Sequence, residues 1–412
     1  MTQTPVGIEV SLGLLLVCIL LIPLAVAGLA LINTGLGRSR SAAHAMTMSL
    51  CVVGLAILAY FFFGFSIQEN GIATPLHHSG FLLPRGAFDS FAGAAALFGC
   101  LSAALASLIP LGATADRWRL GPALVSTLVL AGWTYPVFPR LVSDVLALGP
   151  GYHALLDRGG SGFIHVTAGL SALSIAWLLG PRQGKYSPNG MPAAIPAHNG
   201  VFVLFGCMLA WVGWLGLNSA GAILYGGTGS EVEPSALVMI NTTFAACAAA
   251  LASAATTRVR FRRPDASLIA NGWLAGLVAS SAGCATLKPA TAILTGIVAG
   301  VAVVLSVELF ELHLKVDDPC GSVSVHAVAG LWGVLAAGIF SGSFGQFMAQ
   351  LVGIATLLGL IFPMTYGLNW LLSRFLPYRV SIDGERQGLD LHELGADAYP
   401  EFVVHADEFL QR

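Results

Sequence analysis

Long apolar runs, rather than alternating polar and apolar positions, organise this chain. Segments of about 20 mostly apolar residues, the length that crosses a bilayer, lie at 7–34, 42–67, 88–112, 121–144, 160–180, 199–225, 234–257, 267–286, 290–314, 321–340 and 346–376. These eleven runs predict an all-α integral membrane fold, because a helix satisfies its own backbone hydrogen bonds where no water can. The loops between them are short and leave no room for a second folded unit. From Arg379 the chain turns polar and contains Gly384, Gly388, Gly395 and Pro400. It therefore divides into a membrane body, 1–378, and a tail, 379–412. The opening stretch lacks the basic region of a secretory signal, and its apolar run reaches Ile32. It reads as a retained first span.

Charge orients this bundle. Eleven spans put the termini on opposite sides. One side then receives fifteen Lys and Arg residues, among them Arg38, Arg117, Arg182, the Arg258–Arg263 cluster and Arg379; the other receives Arg85, Arg140, Arg158 and Lys288. Positive charge accumulates on the cytoplasmic side of membrane proteins. The expectation is an N-terminus outside and a cytoplasmic tail, in the inner (plasma) membrane. The Arg258–Arg263 cluster serves as that orientation signal, with anionic lipid contact as an alternative.

Composition agrees with lipid as the solvent. Hydrophobic residues make up 56% and charged residues 10%, against about 25% charged in soluble domains. Mean hydropathy is +0.79. The 49 glycines suit close helix approach. A net charge of −2 carries no footprint for nucleic acid. The seven cysteines are scattered through apolar segments without metal-ligand spacing, which predicts packing and no metal site. No nucleophile–base set and no phosphate loop occurs, so nothing supports an enzyme or a cofactor.

Two stretches repeat. Asp157 precedes Phe163-Ile164-His165-Val166-Thr167-Ala168-Gly169-Leu170, and Asp318 precedes Ser324-Val325-His326-Ala327-Val328-Ala329-Gly330-Leu331. In both, the acid stands eight residues before the histidine, and Ala-Gly-Leu follows at one offset. The first copy opens the fifth span and the second opens the tenth. A unit of five spans inverts on repetition, predicting an inverted five-plus-five repeat plus a final helix. Such symmetry can bring His165 and His326 together near mid-membrane. An imidazole accepts a proton at one nitrogen and donates from the other, so a pair in contact can relay a proton through an apolar passage. A lone histidine would more simply satisfy a neighbouring backbone group; the symmetric pair favours a pore. Asp318 reads as a helix cap, with Pro319 in the first turn. Asp157 reads equally as a cap or as a cation attractor.

The residues now resemble a known family, the ammonium transporters of the Amt/Mep/Rh superfamily. Val316-Asp317-Asp318-Pro319-Cys320 with His326 resembles its tenth-span signature, and Asp157 through His165 its fifth. Gly213-Trp214-Leu215-Gly216-Leu217-Asn218 is similar to its sixth-span motif, Ile240-Asn241-Thr242 to its seventh, and Ala115-Asp116-Arg117-Trp118-Arg119 to the loop after its third. Gly388-Leu389-Asp390, Gly395 and Ala398-Tyr399 resemble its cytoplasmic regulatory tail. The resemblance implies a homotrimer with one pore per subunit and His165 and His326 as pore histidines. It further implies Asp157 near the outer mouth, ammonium losing its proton on entry, and control by a PII signal protein. Leu394 stands where the family's tail usually has histidine, with His392 nearby.

The outer mouth departs from the family pattern. Its two gating phenylalanines fall on Ser102 and Leu217, with Phe98 keeping a neighbouring ring. The vestibule Trp falls near Ser143 and the vestibule Ser on Gly221. An aromatic face holds a desolvated cation with about 2 kcal/mol, which Ser, Leu and Gly do not supply. Phe91, Phe98, Tyr135 or Asp157 itself are the available replacements. Three functions follow: ammonium transport, ammonium sensing through the tail or a fused or paired signalling domain, and passage of another small solute such as methylammonium or carbon dioxide. Trp214, Trp273 and Trp332 read first as helix packing, although the sixth-span resemblance places Trp214 at the pore. His77 and His78 read as surface residues of an outer loop, with adventitious metal binding as the lesser alternative.

Overall fold

The computed structural model describes residues 5–70, 90–149, 153–226 and 235–399. His77, His78 and Arg85 lie outside the described residues. Among the described residues the main helices are α1 (Pro5–Leu36), α2 (Ser39–Glu69), α3 (Phe91–Ala113), α4 (Leu120–Ala147), α5 (Ser161–Leu179), α6 (Gly200–Tyr225), α7 (Ser235–Phe261), α8 (Ala266–Ser281), α9 (Pro289–His313), α10 (Val323–Phe340) and α11 (Phe344–Phe375). Among the described residues, ten of these are long and apolar enough to cross a membrane; α8 is the shorter one. No strand occurs among the described residues. Beyond α11 the tail adds α12 (Ile382–Gln387) and a wide turn over Asp390–Leu394.

Lipid-like solvation shows in the surface. Leu20, Leu50, Val201, Leu251 and Phe375 are exposed while Ser102, His165, Asn218, Asn241 and Gln350 are fully buried. A water-soluble fold inverts that pattern. The buried polar groups mostly find partners. Asn241 Nδ2 donates to the carbonyls of Cys284 and Leu287 at 2.9 and 2.7 Å. Ser126 and Tyr378 hydroxyls converge on Asn369 Oδ1 at 2.6 and 3.0 Å. Small residues set the spacing: a Cβ on Gly28 would lie 2.5 Å from the Ala210 nitrogen, so α1 and α6 approach backbone to backbone.

Candidate functional site

Two turns of matching construction carry the histidines. Asp157 Oδ2 accepts from the nitrogens of Gly162 and Phe163 at 2.9 and 2.8 Å. Asp318 accepts from those of Ser322 and Val323 at 3.0 and 2.7 Å. Each acid thus satisfies two of the N–H groups that a helix start leaves open. Between acid and helix the chain bends through Gly160 (φ 86°) and Gly321 (φ 67°), a left-handed backbone that favours glycine. Both stand three residues after their acid, a match that Asp, His and Ala-Gly-Leu alone do not reveal. Pro319 lies in this bend, closed by Gly321 N–H donating to Asp318 O at 3.1 Å; it precedes α10 and is not in its first turn.

His165 and His326 then fall in wide i→i+5 turns, over Ser161–Val166 and Val323–Val328. Such a turn admits one extra residue and redirects side chains locally. The repeat's glycines close the gap reciprocally. A Cβ on Gly169 would lie 2.5 Å from the nitrogen of Ala327, the residue after His326. One on Gly330 would lie 2.7 Å from Val166 Cγ2, the residue after His165. Hydrogen in those places lets α5 and α10 touch. The imidazoles meet with centroids 5.2 Å apart and 30° between planes, and Nδ1 faces Nδ1 at 3.3 Å. One Nδ1 must donate and the other accept, so the two Nε2 atoms differ: the donor ring leaves its Nε2 bare. His165 Nε2 is buried without a partner. Trp214 lies flat on the other face of His165, at 5.0 Å and 12°, anchored by its Nε1–H to Ser281 Oγ at 3.2 Å. It therefore does more than pack helices. Trp332, donating to Thr295 O at 3.0 Å, and Trp273, edge-on to Trp211, behave as packing residues.

A cavity of about 440 Å³ opens on the face opposite the tail, lined by Glu69, Phe98, Tyr135, Asp157, Phe163 and Tyr225 among others. It reaches Ile164, the neighbour of His165. Ser143 also lines it. Phe98 meets Tyr225 edge-on at 6.0 Å. Burial pushes the Asp157 carboxyl up to about 7, against the opposing pull of its backbone donors; Oδ1 has no partner. Ser102 is likewise fully buried, its hydroxyl beside that of Tyr135, and Leu217 is fully buried. Gly221 is occupied by packing: the Arg158 backbone fills the space its side chain would take, with Gly159 Cα 3.4 Å from an added Cβ. Sequence reasoning missed Glu69, Gln68 and Tyr225, because it followed only positions that match a family motif. The Glu69 carboxylate at the end of an otherwise apolar α2 was the available signal.

The tail side is densely charged. Arg182 grips Asp317 through Nε and Nη2 at 2.9 and 3.0 Å and reaches Asp116 through Nη1 at 3.0 Å. Arg117, fully buried, donates to the Asp317 carbonyl at 2.7 Å. Burial alone would raise the Asp317 carboxyl, but Arg117 and Arg182 outweigh it and hold it at about 2. Together these residues tie the loops after α3, α5 and α9. The tail docks beside them. Asp390 accepts from the nitrogens of Ala43 and His44 at 3.1 and 2.7 Å. Glu393 bonds His44 Nε2, Arg119 Nε and Leu120 N at 2.8, 3.1 and 2.9 Å. Gly388 (φ 104°) lies against Arg40, where a Cβ would sit 2.5 Å from its carbonyl oxygen. Tyr399 Oη pairs with His198 Nε2 at 3.2 Å.

These features define a multi-pass, all-helical membrane protein whose core buries a contacting imidazole pair. Comparison with known proteins identifies the group: the chain belongs to the Ammonium Transporter Family, whose profile matches residues 13–399. It is 33% identical over 383 residues to ammonium transporter Amt2 of Archaeoglobus fulgidus, covering 85% of this chain and 80% of that one. It is also 33% identical over 371 residues to Amt1 of Methanocaldococcus jannaschii, covering 85% and 88%. Among solved structures, a sensor Amt protein superposes with TM-score 0.81 at 24% identity, over 94% of this chain and 99% of that one. Rh50 of Nitrosomonas europaea superposes with TM-score 0.75 at 21% identity, over 97% and 95%. These two likenesses establish the fold.

Proposed function

We propose that this protein conducts ammonium across the plasma membrane, the cation entering at the Asp157 cavity and passing His165 and His326 as ammonia and a proton. The observation that carries this reading is the Nδ1-to-Nδ1 contact at 3.3 Å. One cavity reaches Ile164, just before His165, and a second, tail-side cavity reaches Ser324, two residues before His326. Glu69 supplies negative charge at entry, and Asp157 adds to it as its carboxyl ionises with pH rising through about 7. A bare Nε2 accepts an N–H of the substrate, the proton moves through the shared Nδ1 position, and the second ring re-presents it. Phe98, Tyr135 and Tyr225 stand in for the family's vestibule rings, while Ser102 and Leu217 leave a gate without stacked phenyl groups. Its grip on a cation is correspondingly weaker.

The same reading takes α8 as an eleventh span, the five-plus-five inversion, a homotrimer, and residues 379–412 as a cytoplasmic regulatory tail. Within that tail Gly388, Asp390 and Tyr399 hold its docked form, and a PII protein is a candidate partner. Proteoliposomes test conduction. Ammonium-driven current or pH change that survives in the wild type and vanishes in His165→Asp with His326→Ala supports it; unaltered flux in that double variant overturns it. The anchored tail and the missing gate rings favour one second reading, a receptor that binds ammonium with little flux. Tight binding without flux in the wild type would select that reading.

A further inference from the structure

Each histidine helix is held from behind as well as from the front. Ser171 stands six residues after His165, and Trp332 six residues after His326. Ser171 Oγ lies 2.9 Å from Thr365 Oγ1 of α11, and Trp332 Nε1 donates to the Thr295 carbonyl of α9 at 3.0 Å. The repeat therefore runs on past Ala-Gly-Leu to two side-chain bonds that tie α5 and α10 to different neighbours. At 3.6 residues per turn, Ser171 faces about 200° away from Gly169, the residue packed on Ala327 of α10. One face of α5 thus meets α10, and the opposite face is bonded to α11.

The bond to α11 has a fixed sense. Ser171 donates its own hydroxyl hydrogen to the Thr167 carbonyl at 3.0 Å, so the Thr365 hydroxyl is the donor between the helices. Thr167 in turn donates its hydroxyl to the Gly162 carbonyl at 3.1 Å, inside the wide turn that carries His165. Behind Thr365 stands Asn369. Its Nδ2 donates to the Thr365 carbonyl at 2.8 Å and lies 3.5 Å from Thr365 Oγ1, while Ser126 of α4 and Tyr378 hold its Oδ1. Ser171, Thr365 and Asn369 are all buried. Between helices solvated by lipid, apolar contact supplies little drive to associate, so close packing and interhelical hydrogen bonds set the arrangement. We infer that Thr365, oriented by Asn369, is a positioning residue for the contact between His165 and His326. Bonded on one face and packed on the other, α5 does not roll about its axis, and rolling is the motion that carries the His165 ring off its partner. The effect on flux rests on the proposed function, in which that contact relays the proton; the hold on the ring does not.

Thr365→Val tests this in the full chain. It keeps the branched shape and removes the hydroxyl. Ser171 stays bonded to Thr167, and Asn369 to the carbonyl of residue 365, so neither loses its last partner. In protein carrying 15N-labelled histidine, a hydrogen bond between the two Nδ1 atoms gives a scalar coupling between those nitrogens. That coupling is expected in the wild type and in Thr365→Ser, which restores the donor, and is expected to be lost in Thr365→Val. Ammonium flux in proteoliposomes should fall about ten-fold in Thr365→Val, for a displacement smaller than the 1 Å that lowers rates about 100-fold, and should return in Thr365→Ser. Wild-type coupling and flux in a folded Thr365→Val protein overturn the inference. So does a lowered melting temperature with both unchanged, which is the result a purely structural bond would give. Should Thr365→Val fail to fold, Ser171→Ala removes the same bond from the α5 side and must show the same loss of coupling; coupling intact there overturns the inference. Coupling that depends on Thr365 in a protein whose wild type carries no flux would leave the positioning role standing and remove the transport reading.

Discussion

Gly169→Ala tests the packing that brings the imidazoles together. The added methyl would sit 2.5 Å from the Ala327 nitrogen and 2.9 Å from its Cβ, while ordinary contact begins at 3.4 Å. Relief therefore requires about 0.9 Å of separation between α5 and α10, the difference of those distances. The obstructing atom is backbone, so a rotamer change does not help. Transmitted to the histidines, that movement stretches the 3.3 Å contact to about 4 Å, beyond hydrogen-bond reach. Overpacking of this kind is unfavourable by about 1–3 kcal/mol, which a membrane bundle survives. If the contact relays protons as proposed, a misalignment of about 1 Å lowers rates on the order of 100-fold. The expected result is a folded protein, shown by unchanged size-exclusion behaviour, with ammonium flux reduced about that much in proteoliposomes. Gly330→Ala should behave alike, because its Cβ meets Val166 and the Ser161 carbonyl at 2.7 and 2.9 Å. Wild-type flux in a well-folded Gly169→Ala protein would refute the link between these glycines and the histidine contact.

Three further outcomes follow from the charges. Asp157, raised to about 7 by burial, binds its proton more tightly folded than unfolded, where a carboxyl titrates near 4. Its contribution to stability is therefore full below about 4 and lost as pH rises through about 7. Asp157→Asn should flatten the melting temperature across that window while keeping the cap. Glu393 is held at about 2 because its bonds to His44, Leu120 and Arg119 outweigh burial. Its docking energy is present above about 4.5 and lost as pH falls through about 2, and Glu393→Ala should expose the tail to protease at neutral pH. Asp317→Asn leaves buried Arg117 without its nearby carboxylate and Arg182 with Asp116 alone, a change of about 3–5 kcal/mol, readable as a lowered melting temperature.

The apolar runs determined the helices by themselves, because twenty residues without charge have one stable form in lipid. The boundaries moved by a few residues, as where the seventh run, 234–257, continues as helix to Phe261 and the eighth, 267–286, ends as helix at Ser281. The repeat of Asp, His and Ala-Gly-Leu was also legible, since it is a spacing along the chain. Tertiary structure alone decided which atoms meet. That Gly169 packs on Ala327 and Gly330 on Val166, that Trp214 covers His165, and that Gly221 accommodates the Arg158 backbone all depend on helix approach to within an ångström. The unpaired oxygen of Asp157 belongs with these. An orphaned acceptor is defined by the donors that packing fails to bring near it, and linear spacing carries no record of them.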